Sequence, residues 1–250
     1  MDENSNDEQQ QQQQPRTPSC STMMRNPFNM NDRHQQQNYG TFVIDGASEF
    51  RRVGKTHIYG VAQPTAVGIR DVFRKLLTDK NKKILWINLR EEPIIYIDGI
   101  PYVLRDLHFS LRNLRTYKGI TSDRLEQLEK RLQEDIIREI KNEVNTNEGR
   151  ILLHGENSKG SIESRWIEVY PSDVLTVQEV MRDEEEKVYQ ELINESGNNH
   201  TNAQQGVNKF LNYHRVPITA ERPPECNDFD DLRRYITGEG IDLSNTAIIM

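Results

Sequence analysis

Ile84-Leu85-Trp86-Ile87-Asn88, running straight into Leu89-Arg90-Glu91-Glu92-Pro93, is the stretch on which the fold turns. A short apolar run closed by a polar residue reads as a strand covered on both faces, the kind found inside a parallel sheet. The charged turn behind it then falls at the strand's carboxyl end, where open α/β sheets place their ligand crevice. Arg90 there suits an anion, and Glu91 suits orienting Arg90. From composition alone the pair reads better as a solvated ion pair at a strand end.

Outward from this strand the pattern alternates. Ile94-Ile95-Tyr96-Ile97, then Asp98-Gly99, then Pro101-Tyr102-Val103-Leu104, predicts a hairpin, because Asp-Gly favours the φ > 0 turn joining twisted strands. Ile151-Leu152-Leu153-His154, Tyr213 to Ile218 and Thr246 to Met250 read as further strands. Leu125, Leu128, Leu132, Ile136, Ile140 and Val144 form an apolar stripe that predicts a core-facing helix from about Ser122. Thr176-Val177-Gln178-Glu179 is a capping box opening a helix that carries Val177, Val180, Met181, Val188 and Leu192. Strands alternating with helices imply an α/β layered fold with a largely parallel sheet flanked by helices.

Residues 1 to 38 belong to another regime. Gln9 to Gln14 is an unbroken glutamine tract, and Gln35 to Gln37 repeats it. Such a segment buries too little apolar area to offset chain entropy and is expected to be a disordered, removable tail, leaving residues 39–250 as the folded part. The chain holds 32 Lys+Arg and 39 Asp+Glu, a formal net charge of -7, which disfavours nucleic acid as a partner. No apolar run approaches a membrane span, and the acidic, Gln-rich start is unlike a signal peptide. A cytoplasmic protein is expected, with peripheral membrane contact left open.

Classes of chemistry can be set aside one by one. The 2 cysteines, Cys20 and Cys226, make no disulfide or zinc framework. A cysteine phosphatase needs Cys and Arg six positions apart, so that the intervening amides wrap the phosphate and the next helix activates the thiol. Six after Cys20 stands Asn26, and six after Cys226 stands Leu232. No phosphate loop or dinucleotide fingerprint occurs. His34, His57, His108, His154, His200 and His214 are scattered, so no metal and no cofactor is expected. Tyr213-His214-Arg215-Val216-Pro217-Ile218-Thr219-Ala220-Glu221-Arg222-Pro223-Pro224, followed by Asp228, is a strand entering a Pro-stiffened acidic loop. That is a place for a mobile general acid, Glu221 or Asp228, beside His214, Arg215 and Arg222. Asp228 serves equally well as a helix cap.

Taken in order, Phe50 to Gly54, Ile58 to Thr65, Trp86 to Pro93, Ile151 to Glu156 and Tyr213 to Phe229 resemble one repeat of the paladin family. That family is related to the tyrosine-phosphatase-like inositol polyphosphate phosphatases. The resemblance implies a cysteine-phosphatase α/β fold and a substrate bearing a phosphate monoester, on a phosphoprotein, an inositol polyphosphate or a phosphoinositide. It further implies Arg90, Glu91, His214, Arg215 and Arg222 as substrate-binding residues. In such families the Cys-x5-Arg loop follows the strand matched by Thr246 to Met250, so the nucleophile is expected after Met250. The chain by itself is then an inactive N-terminal fragment, its C-terminal part missing and one sheet face uncovered. The family's acid aspartate follows the threonine matched by Thr219; here Ala220 stands there, with Glu221 next. A pseudophosphatase scaffold binding phospho-ligands or signalling proteins is the alternative. Oligomeric state is open.

Overall fold

A computed structural model describes residues 24–25, 42–79, 82–104, 119–141, 149–156, 162–195, 210–219, 223–238 and 241–250. The apolar run at Ile84 lies in β4 (Lys83–Asn88), whose residues from Ile84 onward are all buried. It sits in a five-stranded sheet with β2 (Arg51–Arg52), β3 (Ile58–Gly60), β10 (Leu211–Arg215) and β11 (Thr246–Ile249), in the order β10-β4-β11-β3-β2. The β10–β4, β4–β11 and β11–β3 pairs are parallel; only β2 runs against its neighbour. This is the parallel sheet the sequence implied.

Helices cover both faces of that sheet. On one, α1 (Ala66–Thr78) and α3 (Val177–Glu195) enclose Ile84, Trp86, Ala247 and Ile249 with Phe73, Leu76, Val180 and Val188. Phe73 meets Trp86 edge-on at 5.8 Å and 89°. On the other face, Leu85, Ile87, Val216 and Ile248 are packed by Leu232, Tyr235 and Ile236 of α4 (Cys226–Ile236). The face expected to stay open is therefore covered by the helix next to the acidic loop. Thr176 and Glu179 realise the capping box: the Thr176 amide donates to Glu179 Oε2 at 2.9 Å, and the Glu179 amide donates to Thr176 Oγ1 at 3.3 Å.

The remaining strands form a second sheet, which the periodicity did not separate from the first. β5 (Ile94–Ile97) and β6 (Ile100–Leu104) make the foreseen hairpin, with φ of 50° at Asp98 and 72° at Gly99. β7 (Arg150–Glu156) and β8 (Ile162–Glu168) pair antiparallel, and β9 (Val174–Thr176) adds to β5 after a 3-10 turn at Pro171–Asp173. β1 (Met24–Arg25) joins the two hairpins, antiparallel to β6 and parallel to β7, giving β8-β7-β1-β6-β5-β9. The rest of the segment 1–38 lies outside the described residues. The predicted amphipathic helix is α2 (Ser122–Lys141), whose Leu132, Ile136 and Ile140 pack on Ile95, Ile97, Ile151 and Val174. Trp166, on edge strand β8, is 46% exposed, whereas Trp86 is 5% exposed.

Candidate active site

Parallel pairing sends β3, β4, β10 and β11 out of the sheet along one edge. The segments beyond their carboxyl ends meet there. Val216 N–H donates to Asn88 O at 2.9 Å, and Ile218 N–H donates to Leu89 O at 2.9 Å, so the start of the acidic loop is sewn to the charged turn. Val61 N–H donates to Met250 O at 3.1 Å on the other side of β4. The turn bearing Arg90 and Glu91 and the loop reaching Thr219 thus share one rim, as the topology implied.

Within the turn, the Arg90 amide donates to Asn88 Oδ1 at 3.0 Å. Its side chain is 36% exposed, and the carboxylate beside it belongs to Glu92, with Oε2 3.4 Å from Nε, rather than to Glu91 as the sequence suggested. Nε is buried and makes no hydrogen bond. Arg90 therefore stands partly exposed at the rim, its Nε turned inward beside the Glu92 carboxylate.

Strand alternation divides the candidates on β10. Tyr213 and Arg215 face one way, His214 the other. His214 stacks on Tyr235 at 3.9 Å and 19°, under α4, and burial pushes its pKa down from the ordinary 6.5. Arg215 is buried, and its donors are turned inward. Nη1 meets Glu129 Oε1 at 2.6 Å, Nη2 donates to Glu92 O at 2.9 Å, and Nε donates to Arg90 O at 3.2 Å. Glu129 Oε1 also accepts the Ile94 amide at 2.9 Å. Burial pushes the Glu129 carboxyl up, opposed by the Arg215 charge and the Ile94 N–H. For Arg215, burial alone would favour losing the proton; the Glu129 charge and hydrogen bond, with Tyr213 and Glu126, together outweigh it and keep the guanidinium charged.

Arg215 thus sits behind the rim and Arg90 on it, while His214 lies on the opposite sheet face. Asp228 Oδ2 accepts the Glu225 amide at 2.7 Å, the capping alternative weighed above. Glu221 and Arg222 lie outside the described residues. Cys226 is exposed at the start of α4. Sequence reasoning missed Glu129, although it occupies the core-facing phase of α2, four after Leu125 and three before Leu132. A carboxylate in that phase was the available signal. Among the described residues, no three His, Cys, Asp or Glu side chains are grouped to hold a metal, and no helix is long and apolar enough to cross a membrane.

Residues 87–250, from β4 through β11, match the model of the PTP-like phytase family, described as PTPlike_phytase: Inositol hexakisphosphate. The chain belongs to this family. Curated relatives that it matches are paladins. That of Gallus gallus is 30% identical over 206 residues, covering 81% of this chain and 19% of the relative. That of Homo sapiens is 40% identical over 60 residues, covering 23% of this chain and 7% of the relative. The chain therefore spans less than a fifth of the length of the paladins it matches. Among solved structures, the tandemly repeated PTP-like phytase of Mitsuokella multacida superposes with a TM-score of 0.50 at 14% identity, over 91% of this chain and 33% of that one. The PTP-like myo-inositol phosphatase of the same organism, in complex with myo-inositol-(1,3,4,5)-tetrakisphosphate, matches with the same TM-score of 0.50. At that identity the likeness establishes the PTP-like phytase fold.

Proposed function

We propose that the protein carrying these residues is a phosphate monoester hydrolase acting on inositol polyphosphates, and that this chain supplies its parallel sheet and the rim of its phosphate site. The observation that carries the reading is Arg90, a guanidinium 36% exposed at the carboxyl edge of the sheet, on the turn that the Ile218 N–H ties to the acidic loop through Leu89 O. A guanidinium so placed is matched to a phosphate oxygen. The chemistry proposed for the whole protein follows the family resemblance: a thiolate attacks phosphorus, a phosphocysteine forms, and a loop acid protonates the departing oxygen. Glu221 is the candidate for that acid, since a carboxylic acid can protonate an alkoxide as it leaves. The 250 residues hold no Cys-x5-Arg, so the covalent step is not assigned to either cysteine present.

The test measures phosphate release from inositol hexakisphosphate. The 250-residue chain alone is expected to match a buffer blank, and turnover lost on alkylating Cys226 would overturn the assignment. In the whole protein, Arg90→Ala is expected to raise KM about tenfold, the worth of one charge-assisted contact at a partly open site. An unchanged KM removes Arg90 from the site.

A further inference from the structure

We infer that Glu129 and Arg215 act together as a positioning clamp, setting the Arg90–Glu92 turn, and with it the Arg90 guanidinium, against the mouth of the parallel sheet. This deepens the reading of the rim given above and rests on it.

The placement of the pair carries the inference. α2 packs on the second sheet, yet its Glu129 reaches across to β10 of the parallel sheet and meets Arg215, with side-chain exposures of 1% and 0%. A buried ion pair is a weak source of stability, because desolvating two charges consumes most of their attraction. What it supplies here is geometry. The planar fork of Arg215 is spent on both ends of the turn, Arg90 O and Glu92 O, while Nη1 is held by Glu129. The same Glu129 oxygen takes the Ile94 amide, where the chain re-enters the second sheet as β5. The turn is thus tied at its start, its end and its exit by two side chains whose sequence separation is 86. Arg215 is also the last residue of β10, so the arm that fixes the turn fixes the root of the acidic loop. Lysine would keep the charge but, as a point donor on a flexible stem, could not hold three acceptors in one plane. Neither side chain reaches the rim, so both are positioning residues.

The test is a double-mutant cycle in the whole protein with inositol hexakisphosphate as substrate. Arg215→Lys is expected to raise KM by about as much as Arg90→Ala while changing kcat less, and the double variant is expected to be within about twofold of Arg90→Ala alone. Multiplying effects, or a wild-type KM for Arg215→Lys, would overturn the clamp. Amide hydrogen exchange provides a readout independent of activity. In Arg215→Lys the Ile218 and Ile94 amides are expected to exchange at least about tenfold faster while Leu85 stays protected. If Arg90→Ala leaves KM unchanged, the rim assignment fails and exchange alone decides the clamp, with unaltered Ile218 and Ile94 rates ending it. Should Arg215→Lys lose its cooperative melt, Glu129→Asp keeps both charges, shortens the arm by one methylene and is judged by the same readouts.

Discussion

Gly68 sits in the first turns of α1, where alanine would ordinarily favour the helix by about 1 kcal/mol. Here the helix rests on a backbone. A Cβ at Gly68 would run into the Gly46 carbonyl and stand 2.9 Å from the Ala47 nitrogen. Gly46 cannot retreat easily, since it adopts φ of 71° and its carbonyl accepts the Thr65 amide that precedes the helix. Gly68→Ala is therefore expected to destabilise by about 1–3 kcal/mol, the usual cost of overpacking. Thermal unfolding checks it, and a raised midpoint would mean that the Gly46 turn yields. Nothing in the apolar periodicity marks Gly68, because the atoms that forbid a side chain come from a loop outside the helix. Arg215 was hidden in the same manner. Its own strand names it as a candidate ligand, and its partners elsewhere, Glu129 on α2 and the Arg90 and Glu92 carbonyls, turn it inward. Arg90's place on the rim was legible, because it follows from its position after β4 and needs no distant partner.

The junction of β9 and α3 shows an element boundary written in the sequence and then used twice. The Glu179 carboxylate that completes the capping box also accepts from Gln133 Nε2 at 2.6 Å and faces Lys130 Nζ at 3.1 Å, so the cap of α3 is joined to α2. Burial alone would raise its pKa; the Thr176 amide, Lys130 and Gln133 outweigh that and hold it below the ordinary 4.5. A depressed folded-state pKa means stability present in full above about 4.5 and lost as pH falls through the folded value. Glu179→Gln is expected to lower stability by about 1 kcal/mol near neutral pH. The deficit should shrink in acid, where the wild-type carboxylate is itself protonated. Melting curves at about pH 7 and about pH 3 test this, and a deficit independent of pH would mean that the charge contributes nothing.

At the scale of the molecule, the parallel sheet was readable at β4 and β11, each a self-contained apolar run, and at β10, whereas the short β2 and β3 gave no strand signal. The second sheet was not. β5 and β6 announced themselves through Asp98-Gly99, but β9 is a three-residue strand and β8 alternates weakly, with a mostly exposed face on each side. Their pairing depends on α2 supplying a shared apolar surface beneath Ile95, Ile97, Ile151 and Val174, and that is a tertiary fact. β1 carries no strand signal at all; Met24–Arg25 gains its assignment from the gap between β6 and β7 that it occupies.

The division of the 2 tryptophans between the sheets gives the protein an optical label for each. Trp86, enclosed by Phe73 and its neighbours, should emit at short wavelength and be shielded from a charged quencher such as iodide. Trp166, on the edge of the other sheet, should emit at longer wavelength and be quenched readily. Trp166→Phe is expected to leave only the shielded, blue emission, and Trp86→Phe only the quenchable one. Followed during denaturation, the two signals should separate if the sheets open independently and coincide if they open as one unit. A buried indole signal that iodide quenches as strongly as the exposed one would contradict the packing around Trp86. The two colours would then report, without any added probe, whether the sheets on either side of the Glu129–Arg215 contact lose their order at the same concentration of denaturant.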